Sequence, residues 1–513
     1  MITLVLILAF IVGLYFYLVK NYDYWKKRGV KFVKPLPLLG SFRDPLFLKQ
    51  SYTQMMGQWY KKYPNEKVVG YYLGTTPALL IRDPELVKRV LITDFVNFHH
   101  RGLHPDPHGI EPLLSNLFFV EGDLWRSLRQ RMTPAFTSGK LKAMFPLIVE
   151  RAEKLQARTL NAARGEKVID ARDLMARYTT DFIGACGFGL DADSLNDEDS
   201  AFRKLGRETF KFELREAFIT YFKGNFPRPF RFLRLLGRLE NQVFSLVSHI
   251  QEQRNFKPSG RNDFIDLLLE CQNKGPIEIE SLEKIKPDGT PERATIELTD
   301  RLLAAQVFVF FAAGFETSSS STSYTLHQLA HNPEVLKKVQ KEIDTVLSRH
   351  ENKLSYDAVK EMTYLEWTFK EGMRMFPSLG YLSRKCTRDY TFPELNLSID
   401  KETMIAIPVQ SLQKDPQYFD NPEEFRPERF DSQNNKGANK FVYLPFGDGP
   451  RACIGERLGL MQSLAGLAAL LSKFDVEPAP GSKKDLLVKP QFDIVQTVEG
   501  GIPLLFRERK KVE

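Results

Sequence analysis

Apolar and polar positions follow three different rhythms along this chain. Residues 2 to 19, ITLVLILAFIVGLYFYLV, are apolar throughout and carry no charge. At 1.5 Å per residue they make a helix about 27 Å long, enough to cross a thin bilayer. A 3.6-residue period runs through PELVKRVLI, MFPLIVERAEKLQARTL and PEVLKKVQKEIDTVL, and predicts helices there. Short β-like stretches, VVGYYLG and PALLIRD, come early. The longest apolar helix, through QVFVFFAAGFETSSSSTSYTLHQLA, is expected to start at Thr299 as N-cap with Asp300 as first-turn acid. The polar segment 273 to 298 before it is broken by Pro and Gly and is expected as a loop. Pro35, Pro37 and Gly40 predict a stiff, turning linker. These rhythms predict a mainly α fold with a small β-rich portion, behind one N-terminal transmembrane helix. The expected divisions are an anchor (1–19), a basic and proline-rich linker (20–40) and one large domain (41–513), with no internal repeats.

Composition adds limits. A chain of 513 residues, 43% hydrophobic, can bury a large core. The net charge of +8 is spread over well-mixed signs, which argues against bulk nucleic-acid binding. Cys186, Cys271, Cys386 and Cys453 are far apart and form no CxxC pair, which suggests a reducing compartment. Lys20, Lys26, Lys27, Arg28, Lys31 and Lys34 follow the apolar run and predict that the chain beyond it faces the cytoplasm. Trp25 and nearby tyrosines are expected in the interfacial aromatic belt. A cleaved signal peptide is the alternative; the missing basic n-region and small-residue cleavage site argue against it.

The candidate chemistry centres on FGDGPRACIG, residues 446 to 455. Its glycines permit tight backbone turns, and Cys453 stands just ahead of a predicted helix N-terminus, which favours thiolate over thiol. One thiolate suits a metal whose other ligands come from a cofactor, and haem is the obvious candidate. Arg451 can then pair with a haem propionate. An inert buried cysteine is the alternative reading. In the long helix, Gly314 is expected to leave room for a small ligand beside Thr317, with a local distortion opening a pocket. Thr317 bonding to its own helix, and Glu316 making only a salt bridge, are the alternatives. Glu371 and Arg374 (i,i+3) share a helix face, as do Trp125 and Arg129 (i,i+4). His104 and His108, near His99 and His100, lack helical spacing and further ligands, so zinc is not expected there.

The order Phe446-x-x-Gly449-x-Arg451-x-Cys453-x-Gly455 resembles the haem-binding signature of the cytochrome P-450 family of haem-thiolate monooxygenases. The resemblance extends over the whole chain. In LFFVEGDLWRSLRQRMTPAFTSGKLKAMFP and FFAAGFETSSSS it is similar to insect microsomal enzymes associated with detoxification of plant toxins and insecticides. It implies haem b with Cys453 as axial thiolate, and Phe446, Arg451, Trp125, Arg129 and Arg384 as cofactor-binding residues. It implies that Thr317 assists oxygen activation and Glu316 proton delivery, and that Glu371, Arg374 and Arg429 form a buried structural network. Gln413 stands where many members carry histidine, which puts local packing or a propionate contact in question. The chain shows no GxGxxG after a strand and no flavin-binding pattern, so NADPH serves indirectly, through an NADPH-cytochrome reductase, with cytochrome b5 as a further partner. Arg126, Arg129, Arg131, Lys140 and Lys142 are expected as the docking face for the reductase. Phe308, Phe311, Ala312, Leu379 and Val498 are expected to line a pocket for a lipophilic substrate. The implied location is the endoplasmic reticulum membrane with the large domain in the cytosol, where Asn396 stays unglycosylated. Oxidation of an endogenous fatty acid, steroid or hormone, a haem-thiolate isomerase or dehydratase, and a non-catalytic haem sensor or carrier are the alternatives.

Overall fold

The computed structural model describes residues 1–513 except 104–108, 198–199, 262, 434–439, 491–493 and 511–513, so His104 and His108 lie outside the described residues. Six helices matter most for the site: α1 (Ile2–Val19), α2 (Gly122–Met132), α3 (Ala171–Ile183), α4 (Asp300–His331), α5 (Thr363–Met375) and α6 (Glu456–Lys473). The relevant strands are β1 (Val68–Leu73), β2 (Thr76–Ile81), β3 (Ile277–Ile285), β4 (Pro291–Ile296), β5 (Leu382–Lys385) and β6 (Met404–Ile407). A four-stranded sheet runs β1-β2-β6-β5. Within it β2 and β6 are parallel and the other pairs antiparallel, with Arg384 opposite Ile405. The fold is thus mainly helical with small sheets, as the sequence predicts.

Among the described residues two helices are long and apolar enough to cross a membrane, and burial separates them. No residue of α1 is buried, whereas 67% of the apolar window of α4 is inside the protein. α1 is therefore the candidate membrane span and α4 a core helix. Thr299 caps α4 as expected, its side chain accepting a hydrogen bond from the Leu302 amide. Trp25 departs from expectation. It is fully buried and its Nε1 donates to Tyr71 O at 3.0 Å, so it belongs to the packing on the small sheet and not to an interfacial belt.

The segment expected as a loop before α4 is a hairpin. β3 and β4 pair antiparallel with Ile277 opposite Ile296 and Ile279 opposite Ala294. Ile277, Ile279 and Ser281 are buried while Glu278 and Glu280 are exposed, a period-2 pattern that the surrounding Pro, Gly and charges obscured in the sequence. The hairpin seats on α2, where Asp123 accepts hydrogen bonds from Ser281 Oγ (2.7 Å) and Leu282 N (2.6 Å).

α4 crosses α3 at close quarters. A Cβ on Gly314 would lie 2.3 Å from Ile183 Cδ1, so the missing side chain lets α3 approach while Gly314 itself still borders the large cavity beside Thr317. The helix also runs unbroken from Asp300 to His331, without the expected distortion. Some of its buried hydroxyls bond back to the helix, Thr322 Oγ1 to Ser318 O (2.7 Å) and Thr325 Oγ1 to Ser321 O (2.9 Å), while Ser321 Oγ meets Ser378 Oγ (2.8 Å) across the core.

Beneath the large cavity, Glu371 and Arg374 of α5 are fully buried and joined by two hydrogen bonds of 2.7 and 3.0 Å. Arg429 Nε reaches the same carboxylate at 3.2 Å. Arg374 also donates to Gln413 O (2.9 Å) and Pro422 O (2.7 Å). Gln413, fully buried, donates to Met373 O and Arg374 O (both 3.0 Å) and accepts from Leu444 N (3.0 Å). Its amide fastens the end of α5 to the segment leading into the Cys453 loop, a packing role that leaves no group over for a cofactor contact.

Candidate active site

The Cys453 loop is shaped by its backbone. Gly447 and Gly449 take φ values of +71° and +75°, and a Cβ on Gly449 would lie 2.0 Å from Leu91 O. Cys453 N donates to Phe446 O at 2.9 Å, closing the loop, and Gly455 caps α6. Phe446 and Cys453 both face a cavity of about 750 Å³. Cys453 is exposed only towards this interior space. Burial pushes its thiol pKa up, opposed by the Gly455 amide and by Arg101 and Arg129.

Five arginines line the same cavity, and four of them, Arg101, Arg129, Arg384 and Arg451, are coupled to one another or to the Cys453 loop. Arg129, from α2, donates to Ala452 O (2.7 Å), and Arg384, from β5, to Ser383 O (2.8 Å). Arg451 donates through Nε to His99 O (2.7 Å) and through Nη2 to Val120 O (3.1 Å), with its guanidinium 4.2 Å from the centre of the Trp125 ring. Arg101 donates to Arg451 O (3.1 Å). Buried nitrogens remain without a partner on three of them: Arg101 Nε, Arg384 Nε and Arg451 Nη1. Burial lowers the pKa of all four, to about 10 for Arg101 and about 9 for Arg384, and the Arg101 charge depresses Arg384 further.

Buried cations with idle N–H groups are costly unless an anion joins them. The cavity beside them is apolar along α4, where Phe308, Ala312, Ala313 and Thr317 form a wall. A flat apolar ring system bearing two carboxylates and a metal centre answers each demand: thiol, arginines and apolar walls. The residues fit haem. Trp125, Arg129, Arg384, Phe446, Arg451 and Cys453, predicted from sequence, converge on this one cavity. Arg101 was missed because FHHRG resembles no motif considered; only the fold brings it beside Arg451.

Other expected positions divide. Phe308, Ala312 and Leu379 line the cavity, as expected of a substrate pocket, while Phe311 and Val498 do not. Phe311 is fully buried on another face of α4 and stacks on Phe315. Val498 is 1% exposed in the core, and Ile494 and Val495 reach the cavity instead. Thr317 lines the cavity with its Oγ1 donating to Ala313 O at 2.6 Å. Glu316 is not among the lining residues; it is 4% exposed and ion-paired with Arg172. Of the expected basic docking face, Arg129 and Arg131 are committed elsewhere, while Arg126 and Lys142 keep exposed side chains beside acidic neighbours. Arg129 points into the cavity, and Arg131 is committed to Gly275 O and Pro276 O (both 3.2 Å). Arg126 donates to Glu280 O (2.8 Å), and Lys142 pairs with Asp357 (2.9 Å).

Comparison with known proteins agrees with this geometry. A family model described as Cytochrome P450 matches residues 31–503. Cytochrome P450 6B6 of Helicoverpa armigera is 36% identical over 98% of this chain and 97% of its own. Cytochrome P450 6a2 of Drosophila melanogaster is 37% identical over 94% and 95%, and probable cytochrome P450 6a13 of the same fly is 39% identical over 96% and 97%. Matched nearly end to end, this chain belongs to the cytochrome P450 family of monooxygenases.

Proposed function

We propose that this protein is a membrane-anchored haem-thiolate monooxygenase that oxidises lipophilic xenobiotics such as plant toxins or insecticides, with NADPH-derived electrons delivered by a reductase. The observation that carries the reading is the convergence on an apolar cavity of one thiol and four arginines, of which Arg384 and Arg451 are buried. Haem, when bound, supplies the redox and oxygen-activating chemistry. The chain supplies the rest. Cys453 Sγ would ligate the haem iron, and Arg101, Arg384 and Arg451, whose idle N–H groups have no protein partner, would hold the haem carboxylates together with Arg129. Phe308, Ala312 and Leu379 exclude water and receive an apolar substrate. Thr317 Oγ1 can turn from Ala313 O to offer a hydrogen bond into the cavity. Glu316 can join a proton path only if its pair with Arg172 opens.

The proposed location is the endoplasmic reticulum membrane with the bulk of the chain in the cytosol. The support is the unburied apolar α1, aided by Phe218 and Phe222, which stack at 6.1 Å on the Leu214–Asn225 helix beside exposed Phe47. The test combines purified protein, an NADPH-cytochrome reductase and a panel of lipophilic toxins, insecticides, fatty acids and steroids. The reading expects reductase-dependent NADPH consumption and an oxygenated product from the toxin or insecticide arm. Product confined to the fatty acid or steroid arm would contradict the substrate class, and turnover without reductase would contradict the electron source.

A further inference from the structure

A second cluster of chemistry-bearing side chains lies outside the cavity wall, where the segment before Arg101 meets the β3–β4 hairpin. Ligand atoms of His99, His100 and Glu283 all lie within 4.8 Å of one another. His99 is 2% exposed, and its Nδ1 sits 2.9 Å from Val96 O. A carbonyl only accepts, so Nδ1 carries the proton and Nε2 keeps its lone pair. That Nε2 is buried and has no hydrogen-bond partner. The His100 ring stands between two carboxylates, with Nδ1 3.0 Å from Glu121 and Nε2 3.2 Å from Glu283. Glu121 is itself fixed by the Gly102 amide at 2.6 Å. His100 Nδ1 and Glu121 Oε2 are buried yet lack a well-directed hydrogen bond. The idle, buried His99 Nε2 is a cost that a ligand would remove.

We propose that His99 Nε2, His100 Nε2 and the Glu283 carboxylate bind one Zn²⁺ ion, with Glu121 orienting His100 through its other ring nitrogen. Two imidazoles and one carboxylate suit zinc and not magnesium or calcium, which take oxygen ligands. Zinc takes the place of the proton between His100 and Glu283, and water completes a tetrahedron. The Nδ1 contacts to Val96 O and to Glu121 are the outer-shell bonds that fix such ligands. Bound there, the ion ties the hairpin to the segment whose His99 carbonyl holds Arg451 and whose His100 carbonyl accepts from Lys385 N (2.8 Å). The site thus braces the rim of the arginine cradle without touching Cys453, and it does not depend on the oxygenase reading.

The test uses the full-length, haem-loaded protein, stripped with chelator and titrated with ZnCl₂ alone. One zinc per chain should survive gel filtration, with excess Mg²⁺ failing to displace it. Zinc-edge absorption should show imidazole and nitrogen or oxygen neighbours at about 2.0–2.1 Å. Glu283→Gln, on a half-exposed side chain, should fold normally and lower zinc affinity about tenfold or more. His99→Gln/His100→Gln should abolish retention, and His104→Ala/His108→Ala should leave it intact. If no zinc is retained, if Glu283→Gln binds it as tightly as wild type, or if retention follows His104 and His108, the proposal is overturned. Should the double histidine variant not fold, the Glu283→Gln comparison decides.

Discussion

Two groups of buried arginines sit within this one fold, and they differ in where their N–H groups go. Around Glu371, Arg374 directs Nε, Nη1 and Nη2 onto protein acceptors, and Arg429 adds a second cation to the same carboxylate. Around the cavity, Arg101, Arg384 and Arg451 each keep a buried nitrogen idle. The first group is complete without help and serves the scaffold. The second is incomplete as protein alone, and three such deficits gathered on one cavity mark a binding site. Burial and charge are similar in the two; satisfaction tells them apart.

The largest expected effect falls on the completed group. Glu371→Ala strands Arg374 and Arg429 and should cost about 3–5 kcal/mol, read as thermal or denaturant unfolding of the detergent-solubilised protein. A loss below about 1 kcal/mol would break the contrast at its structural end.

Thr317 and Glu316 repeat the contrast between neighbours, one facing the cavity and one paired behind it. Thr317→Ala should keep fold and haem spectrum while product per NADPH falls, up to about a hundredfold, and peroxide rises. Unchanged coupling would make this threonine only a helix residue. Glu316→Gln should instead show first as lost stability, since it leaves Arg172 without its charge partner.

Arg384→Met sharpens the comparison from the other side. Haem should dissociate about tenfold or more faster, the worth of a hydrogen bond between charged groups. The haem-free chain should be no less stable, because the change removes a charge that burial already disfavours. A haem-free chain weakened as much as by Glu371→Ala would erase the distinction. Gln413→Leu, the smallest change, should cost on the order of 1–2 kcal/mol in unfolding and leave haem binding alone.

What could be read from the sequence was what local pattern carries. The Cys453 loop, the Thr299 cap and the unbroken apolar run of α1 each sit within a short window. Features made by distant pairing were hidden. The β3–β4 hairpin was masked by its Pro, Gly and charges, although Ile277 and Ile279 alternate. Arg101 becomes a cavity residue only through its contact with Arg451, 350 positions away. Glu283 meets His100 across 183 positions. Phe311 was expected in the cavity because apolar character does not say which face of a helix looks inward. Gly314 was expected to make space for a ligand; it borders the cavity, but the fold uses its missing Cβ to bring α3 and α4 together.

The central claim is that the incomplete site is completed by haem held through Cys453. The most direct measurement is the absorption spectrum of purified, reduced protein under carbon monoxide. Wild type should give the strongly red-shifted Soret band of thiolate-ligated haem, and the Ser variants of Cys186, Cys271 and Cys386 should each retain it. Cys453→Ala should lose it. A Cys453→Ala protein that keeps the band would contradict the account.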